Sequence, residues 1–288
     1  MFYIPIFLNT VLSAQDLEPR RWTVIPAGIN VISIGYGRTS GDLLFDPVVQ
    51  IEDADVTIDT LYAVYVRSFK LGDMSSRLDI LVPWQSIRWE GLLRGEERSV
   101  ERKGFANPRV RFSTILFNSA QDNPVSSSKT VVGAAIAVGA PLGEYDEDKL
   151  LNIGFNRFVI RPQIGVVHTE GPWSAELTGS VFFYTDNDEF YDNGTREQDP
   201  IYTLQSHLIY MFKPGLWTSV SVGYGWGGLS WINGESQDDK WGNLLAGVAV
   251  AAPLTDNQGV KVTYLLGRTQ KATGSLSGTF GLSWSIRF

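Results

Sequence analysis

The sequence contains no cysteine and only two histidines, His168 and His207, among its 288 residues. The lack of cysteine excludes disulfides and thiolate metal sites, and two histidines do not supply an imidazole cage for a metal ion. Positive charge is also scarce, because 24 Lys and Arg stand against 31 Asp and Glu, for a net charge of −7. A chain with this bulk charge is not expected to bind nucleic acid. We therefore predict no metal, no other cofactor and no nucleic-acid partner.

Long hydrophobic runs are missing as well, since no stretch reaches the ~18 uninterrupted apolar residues of a membrane helix. Residues 1–14 (MFYIPIFLNTVLSA) form a short apolar run ending in the small residues Ser13 and Ala14. A cleavable signal peptide has this pattern, although a leading Lys or Arg is absent here. We predict a signal-like segment at 1–14, with a plug or a first strand as the alternative. Residues 15–27 are then an N-terminal periplasmic segment, and 28–288 form one domain.

Glycine, aromatic residues and regular alternation are abundant in this chain. The 29 glycines and 12% aromatic residues suit an all-β chain with many tight turns. The segments 129–140, 216–226 and 279–288 place apolar and small or polar side chains at alternate positions, which is the period of a β-strand. A soluble β-sandwich also alternates, so the period alone does not distinguish it from a membrane barrel.

The connections between strands are more informative than the strands. Twelve strands are predicted, centred near residues 34, 63, 80, 112, 135, 162, 179, 207, 222, 247, 263 and 284. Links after odd-numbered strands are long and mostly acidic or rich in glycine. Those after even-numbered strands are short at 71–76, 169–172, 213–215 and 254–259, with 118–127 as the one longer exception. Long and short connections that alternate around an even number of strands are typical of an outer-membrane barrel with both termini in the periplasm.

The chemistry of the two strand faces supports the same prediction. One face carries aromatic residues near strand ends, where interfacial girdles lie, and the other collects charged residues that are mostly basic. The final strand, TFGLSWSIRF (279–288), is apolar on one face, and its pairing with the first strand would leave no open edge in the membrane. The predicted fold is an all-β transmembrane antiparallel up-and-down barrel in the bacterial outer membrane, surrounded by lipid and lipopolysaccharide.

Several stretches carry a resemblance to a known family. They include GDLLFDP (41–47), LDILVPW (78–84), GFANPRVRFS (104–113), APLGEYD (140–146), NIGFNR (152–157) and HLIYMF (207–212). With them the chain resembles, from about residue 28 to 288, the bacterial outer-membrane channels labelled as transporters of the meta-pathway of phenol degradation. Asn107 departs from the family pattern, which more often has Asp before Pro108.

The resemblance implies a monomeric twelve-stranded barrel that acts as a passive diffusion channel. Such channels are often linked with the uptake of aromatic or other small hydrophobic compounds. Resemblance to barrel substrates also implies that the outer-membrane assembly machinery reads the terminal Phe288.

The charged residues on the inferred inner faces, with one histidine, are the predicted pore-lining set. They are Arg67, Arg77, Asp79, Arg109, Arg111, Arg157, Arg161, Glu176, His207 and Lys261. Arginine stays charged at physiological pH, so a ladder of these side chains would favour anions. The alternative is that they pair with Asp59, Asp79 and Glu176, or with carboxylates of loops that fold in, and merely fill a packed interior.

The connection at 141–156 is the candidate constriction loop. It is long, and Leu150 and Leu151 could anchor it inside the barrel, with Tyr145 as a further candidate. The alternative is an external loop that contacts only lipopolysaccharide.

The sequence therefore predicts a diffusion channel for small molecules, namely aromatic or hydrophobic metabolites or organic anions, with no enzymatic activity. An outer-membrane barrel enzyme or a sealed structural barrel is the alternative. GYGWGG (223–228) has the glycine spacing of a dinucleotide-binding loop, but no helix follows. Ser206 and His207 are adjacent in a strand, so their side chains point to opposite faces and cannot form a nucleophile and base pair.

Overall fold

A computed structural model describes residues 17–44, 51–93, 96–119, 128–237, 239–269 and 274–288. The signal-like segment predicted at 1–14 lies outside the described residues. In the part of the chain that the structure describes, no helix is long and apolar enough to cross a membrane.

Within these residues, twelve antiparallel strands form the wall of a barrel. They are β1 (Asn30–Leu44), β2 (Ile51–Leu71), β3 (Met74–Leu93), β5 (Arg109–Asn118), β6 (Ser128–Gly139), β7 (Val159–Glu170), β8 (Trp173–Tyr184), β11 (Ile201–Lys213), β12 (Leu216–Gly227), β15 (Trp241–Pro253), β16 (Gln258–Thr269) and β17 (Gly274–Arg287). Each wall strand pairs with the next along the chain, and β1 also pairs with β17, which closes the sheet. All twelve predicted strand centres fall inside these strands, so the predicted fold is confirmed.

The remaining strands lie in the outer connections. Strand β4 (Glu96–Phe105) pairs with the upper part of β3. A separate small sheet contains β9 (Asn187–Phe190), β10 (Gly194–Gln198), β13 (Ser230–Ile232) and β14 (Glu235–Ser236). Strands β2 and β3 have 21 and 20 residues, about twice the 9–11 that cross a bilayer. The β2–β3–β4 wall therefore rises above the outer membrane surface.

The periplasmic ends of the strands are joined by tight turns. Gly72, Gly171 and Gly215 lie in these turns with φ of +59°, +54° and +83°. This left-handed region suits glycine, which has no Cβ. The short connections predicted at 71–76, 169–172 and 213–215 are therefore turns of the barrel.

The side-chain pattern is inverted relative to that of a soluble protein. Ile34 and Val220 on the outer face are 54% and 63% exposed, whereas Arg161 and Ser219 on the inner face are 2% and 1% exposed. An apolar outer belt around a polar interior is the pattern of a membrane barrel.

Aromatic clusters mark both ends of the belt. Trp173 packs edge-on against Tyr210 at the periplasmic end, with ring centroids 4.7 Å apart. Tyr202 stacks on Trp226 at the outer end, with centroids 5.9 Å apart. Such amphipathic rings are typical of the two membrane interfaces.

Candidate functional site

An N-terminal segment, residues 17–29, precedes β1, and its first part enters the barrel. Its Trp22 is 1% exposed and donates a hydrogen bond from Nε1 to Thr178 Oγ1 at 2.8 Å. The indole lies over Gly133 and Gly165, where a Cβ would come within 2.3 Å and 1.9 Å of ring atoms. Glycine at both positions makes room for the ring. Residues 17–22 thus lie inside the lumen and not in the periplasm, where the prediction had placed them as part of 15–27; residues 15 and 16 lie outside the described residues.

Two carboxylates of the wall hold this segment. Glu176 accepts the backbone N–H groups of Arg20 and Arg21 at 3.0 Å and 3.1 Å. Asp79 accepts a bond from Arg21 Nη1 at 2.9 Å, and Arg21 Nη2 donates to Ser113 Oγ. Glu176, predicted to line the pore, is therefore covered by the N-terminal segment.

The arginines of β5 lie beside the same network. The register pairs Asp79 with Arg111, and Arg111 Nε donates to Asp79 Oδ2 at 3.0 Å. Arg111 Nη1 also donates to the carboxylate of Glu18, which Arg109 Nη2 approaches to 3.3 Å. The prediction had expected acidic partners from the wall or the outer loops, and Glu18 was missed because no local pattern marks it.

Two predicted residues lie at the periplasmic end. Arg77 faces inward, with Nε 3.3 Å from Asp79 Oδ1. Arg67 is exposed on the outer face and donates to Asn30 Oδ1 at 2.9 Å. The β2–β3 register pairs Ser68 with Arg77, which turns Arg67 away from the lumen. The prediction that Arg67 lines the pore is wrong.

A cavity of about 470 Å³ lies between the N-terminal segment, the wall formed by β1–β3, β5, β16 and β17, and the outer ends of β6–β8 with their loop. Its charged lining residues are Glu18, Asp79, Arg109, Arg111, Arg161 and Lys261. Its larger apolar lining residues are Leu17, Val64, Leu81, Pro83, Ile87, Ile153, Phe155, Val159, Phe182 and Leu265. The guanidinium of Arg161 lies 4.4 Å above the ring of Phe182 and donates from Nε to Ser180 Oγ at 3.2 Å. The cavity thus combines cationic groups with apolar surface.

The connection from β6 to β7 folds into the outer mouth. Its Ile153 is 5% exposed and belongs to a cluster with Ile58 and Ile87 from the inner faces of β2 and β3. Leu151 packs on the edge of this cluster, and Leu150 is half-buried. The inward fold expected of 141–156 is present, with Ile153 as its deepest anchor.

The base of this loop is fixed by Asn107. Its Oδ1 accepts the N–H of Gly143 at 3.1 Å. An aspartate would accept the same bond, so asparagine at this position preserves the contact that fixes the loop.

Tyr145 joins the loop to its neighbour instead of facing the cavity. Its hydroxyl donates to the carbonyl of Glu189 at 2.9 Å and accepts a bond from Asn187 Nδ2 at 2.9 Å. Burial raises the pKa of the Tyr145 phenol above its usual value, although the bond from Asn187 opposes this.

Arg157 belongs to the outer connections and not to the cavity lining. It is 4% exposed, donates to Gln198 Oε1 and lies 4.4 Å above the ring of Tyr184. Nearby Arg196 lies 5.6 Å from the centre of the Phe190 ring. The hydrogen bond from Arg157 to Gln198 joins β10 of the small outer sheet to the barrel, whereas the Arg196–Phe190 contact lies within that sheet.

His207 lies on the inner face but on the side filled by the N-terminal segment. It is 1% exposed, and its Nδ1 lies 2.7 Å from Ser221 Oγ. Glu176, its partner in the register, is used by the backbone of Arg20 and Arg21, so these three side chains do not form a relay. Among the described residues, no group of three or more His, Asp or Glu side chains is arranged to hold a metal ion.

The closed antiparallel sheet, its apolar belt and its polar interior define a transmembrane β-barrel of the bacterial outer membrane. Within this class, the chain belongs to the family described as "Putative MetA-pathway of phenol degradation", which matches residues 45–286. The resemblance predicted from the sequence is thereby confirmed. No curated protein matches the chain.

Solved structures show the same architecture. An outer-membrane channel from Pseudomonas putida F1 has 22% sequence identity and a TM-score of 0.82, with 95% of this chain and 100% of that chain covered. The transport unit of the autotransporter AIDA-I from Escherichia coli has 11% identity and a TM-score of 0.54, with 97% and 95% covered. At these identities the likeness concerns the fold alone.

Proposed function

We propose that this protein is an outer-membrane diffusion channel for small organic anions that have an apolar body, such as aromatic carboxylates. The observation that carries the proposal is the lumen cavity, which brings four basic side chains and a larger apolar surface to one space. Its volume of about 470 Å³ lies within the ~300–1,000 Å³ typical of small-molecule sites.

The charge of the cavity favours anions. Arg109, Arg111, Arg161 and Lys261 line it against only Glu18 and Asp79. Low-dielectric walls focus the field of this excess positive charge, which raises the local concentration of anions and repels cations. The family description, which refers to phenol degradation, supports an aromatic substrate.

One observation favours a sealed barrel as the second candidate. The N-terminal segment fills part of the lumen, with Trp22 fully buried. A barrel closed in this way would insert into membranes but carry no steady current. An enzymatic role has weaker support, since the Ser221–His207 contact is buried behind that segment.

Conductance of the purified protein in a planar lipid bilayer tests the proposal. We expect a steady current that prefers chloride over potassium. Arg111→Ser should lower this preference on the order of twofold, because one of four cavity cations is lost. Arg67→Ser is the matched control, since Arg67 faces outward, and should leave the reversal potential unchanged.

The results separate the candidates. A folded wild-type protein that passes no current would contradict the channel and support the sealed barrel. A current whose reversal potential is the same in wild type and Arg111→Ser would contradict anion selection by the cavity.

Substrate preference is tested with three probes of similar shape, namely benzoate, benzyl alcohol and benzylammonium. Uptake into liposomes that contain the protein should be fastest for benzoate and slowest for benzylammonium. Equal rates would show that the charge of the lumen does not select the solute.

A further inference from the structure

We infer that Arg109 and Arg111 form a carboxylate-binding site for the transported anion, and that Glu18 of the N-terminal segment occupies this site as a tethered competitor. The inference rests on the proposed function, because it assigns a binding site within the same cavity.

The ion pair of Glu18 borders open space. Its carboxylate is held by Arg109 and Arg111, which line the cavity with it, and Arg21 Nε lies further away at 3.8 Å. The side chains of Glu18 and Arg109 are 23% and 22% exposed, whereas that of Arg21, which binds Asp79 deeper in the wall, is 2% exposed. A small anion in the cavity therefore reaches the Glu18 site and not the Arg21 site.

The segment is anchored on both sides of Glu18 by contacts that remain in place when the Glu18 side chain moves. On the N-terminal side, Leu17 lies against Gly223 and Gly247. Trp22 is held by its glycine slot and by Thr178, and the backbone of Arg20 and Arg21 is held by Glu176. None of these contacts involves the Glu18 side chain. Release of the Glu18 carboxylate is therefore a side-chain movement that leaves the segment docked.

Replacement of the Glu18 carboxylate by the carboxylate of a ligand preserves the charge balance of the site. Removing Glu18 alone would leave two partly buried guanidiniums without this carboxylate, which is costly. An incoming carboxylate replaces the same hydrogen bonds with the same charge. Arg109 and Arg111 are two positions apart on one face of β5, which separates them by about 7 Å, so that one carboxylate can bridge them. The apolar body of the ligand would then contact Leu81 and Pro83, which line the same cavity.

Isothermal titration of the purified protein in detergent with benzoate tests the inference. If Glu18 holds the arginines for about nine tenths of the time, only about one tenth of the sites are free, and Glu18→Gln should raise the affinity about tenfold. Glu197→Gln, at an exposed position of β10, is the matched control and should bind as wild type does. Benzyl alcohol, which has no carboxylate, should bind wild type and Glu18→Gln equally.

A second substitution locates the site. Arg111→Ser in the Glu18→Gln background should abolish the gain in benzoate affinity. Heat-modifiable migration in gels confirms that each variant is a folded barrel. Benzoate affinity that is unchanged or lower in folded Glu18→Gln would overturn the inference, and so would a gain that survives Arg111→Ser.

Bilayer currents distinguish failure of the tethered-competitor inference from failure of the proposed diffusion channel. If wild type passes an anion-selective current but Glu18→Gln binds benzoate as wild type does, the tethered competitor is wrong and the channel stands. If Glu18→Gln binds benzoate about tenfold more tightly but no variant conducts, the carboxylate site stands and the diffusion channel is wrong.

Discussion

The lumen has two halves that differ in what occupies them. In the filled half, made by β6–β8, β11, β12 and β15, the inner faces carry small residues such as Gly133, Gly165 and Ser221, and the N-terminal segment lies against them. In the open half, made mainly by β1–β3, β5, β16 and β17 with the outer ends of β6–β8, side chains such as Tyr62, Arg111 and Arg161 border the cavity. The N-terminal segment therefore docks where Gly133 and Gly165 leave room for the Trp22 ring, and the rest of the lumen stays open.

The two halves also hold the segment by different forces. Burial of an indole removes about 200 Å² from water, which is on the order of 5 kcal/mol. The contacts on the open side are polar and charged: Arg21 binds Asp79 and Ser113, and the more exposed Glu18 pairs with Arg109 and Arg111. We expect the segment to stay docked through Trp22 while its Glu18 end exchanges.

The largest effect should come from emptying the filled half. Trp22→Ala removes the anchor at a cost of about 3–5 kcal/mol, so the segment should leave the lumen and the single-channel conductance should rise several times. Gly165→Leu should have the same result, because a Cβ at this position already meets the indole at 1.9 Å.

Trp173→Ala is the matched control for these variants, since Trp173 is 50% exposed in the periplasmic girdle. Its conductance should equal that of wild type. A conductance unchanged in both Trp22→Ala and Gly165→Leu would show that the segment does not limit the current, and the difference between the halves would lose its functional meaning.

A smaller effect is expected at the outer mouth of the open half. Ile153→Ala should weaken docking of the β6–β7 loop by about 2–5 kcal/mol, because Ile153 is buried against Ile58 and Ile87. We expect a moderate rise in conductance with larger current fluctuations. Leu142→Ala in the same loop, where Leu142 is 72% exposed, should change neither. Quiet currents of wild-type size in Ile153→Ala would contradict a constriction at this loop.

The strands could be predicted from the sequence because lipid imposes a period of two over most of the barrel. Leu282 and Val220 both face outward, and the strand register places them where the alternation predicts. The inner placement of Arg109, Arg111 and Lys261 follows from the same alternation.

The prediction failed where the environment of the wall changes. Above the membrane the β2–β3 wall is polar outside and apolar inside, as in a soluble protein: Asp55 is exposed, whereas Val56 and Ile58 are buried. A charged residue in β2 therefore does not identify the face that points into the lumen. Arg67 points outward at the opposite end of the same strand. Glu18 and Trp22 could not be placed because the contacts that bind them to the wall join positions more than 90 residues apart in sequence.

The smallest effect is expected deep in the filled half. Ser221→Ala removes the hydroxyl bonded to the buried His207 Nδ1, and an unsatisfied buried group costs about 1–3 kcal/mol. The midpoint of thermal unfolding should fall while conductance and reversal potential stay at wild-type values, because the N-terminal segment separates this pair from the cavity. Ser206→Ala, beside His207 in sequence but on the outer face, should leave all three quantities unchanged. A shifted reversal potential in Ser221→Ala would mean that solutes pass through the filled half, and the division of the lumen into an occupied and a conducting side would have to be abandoned.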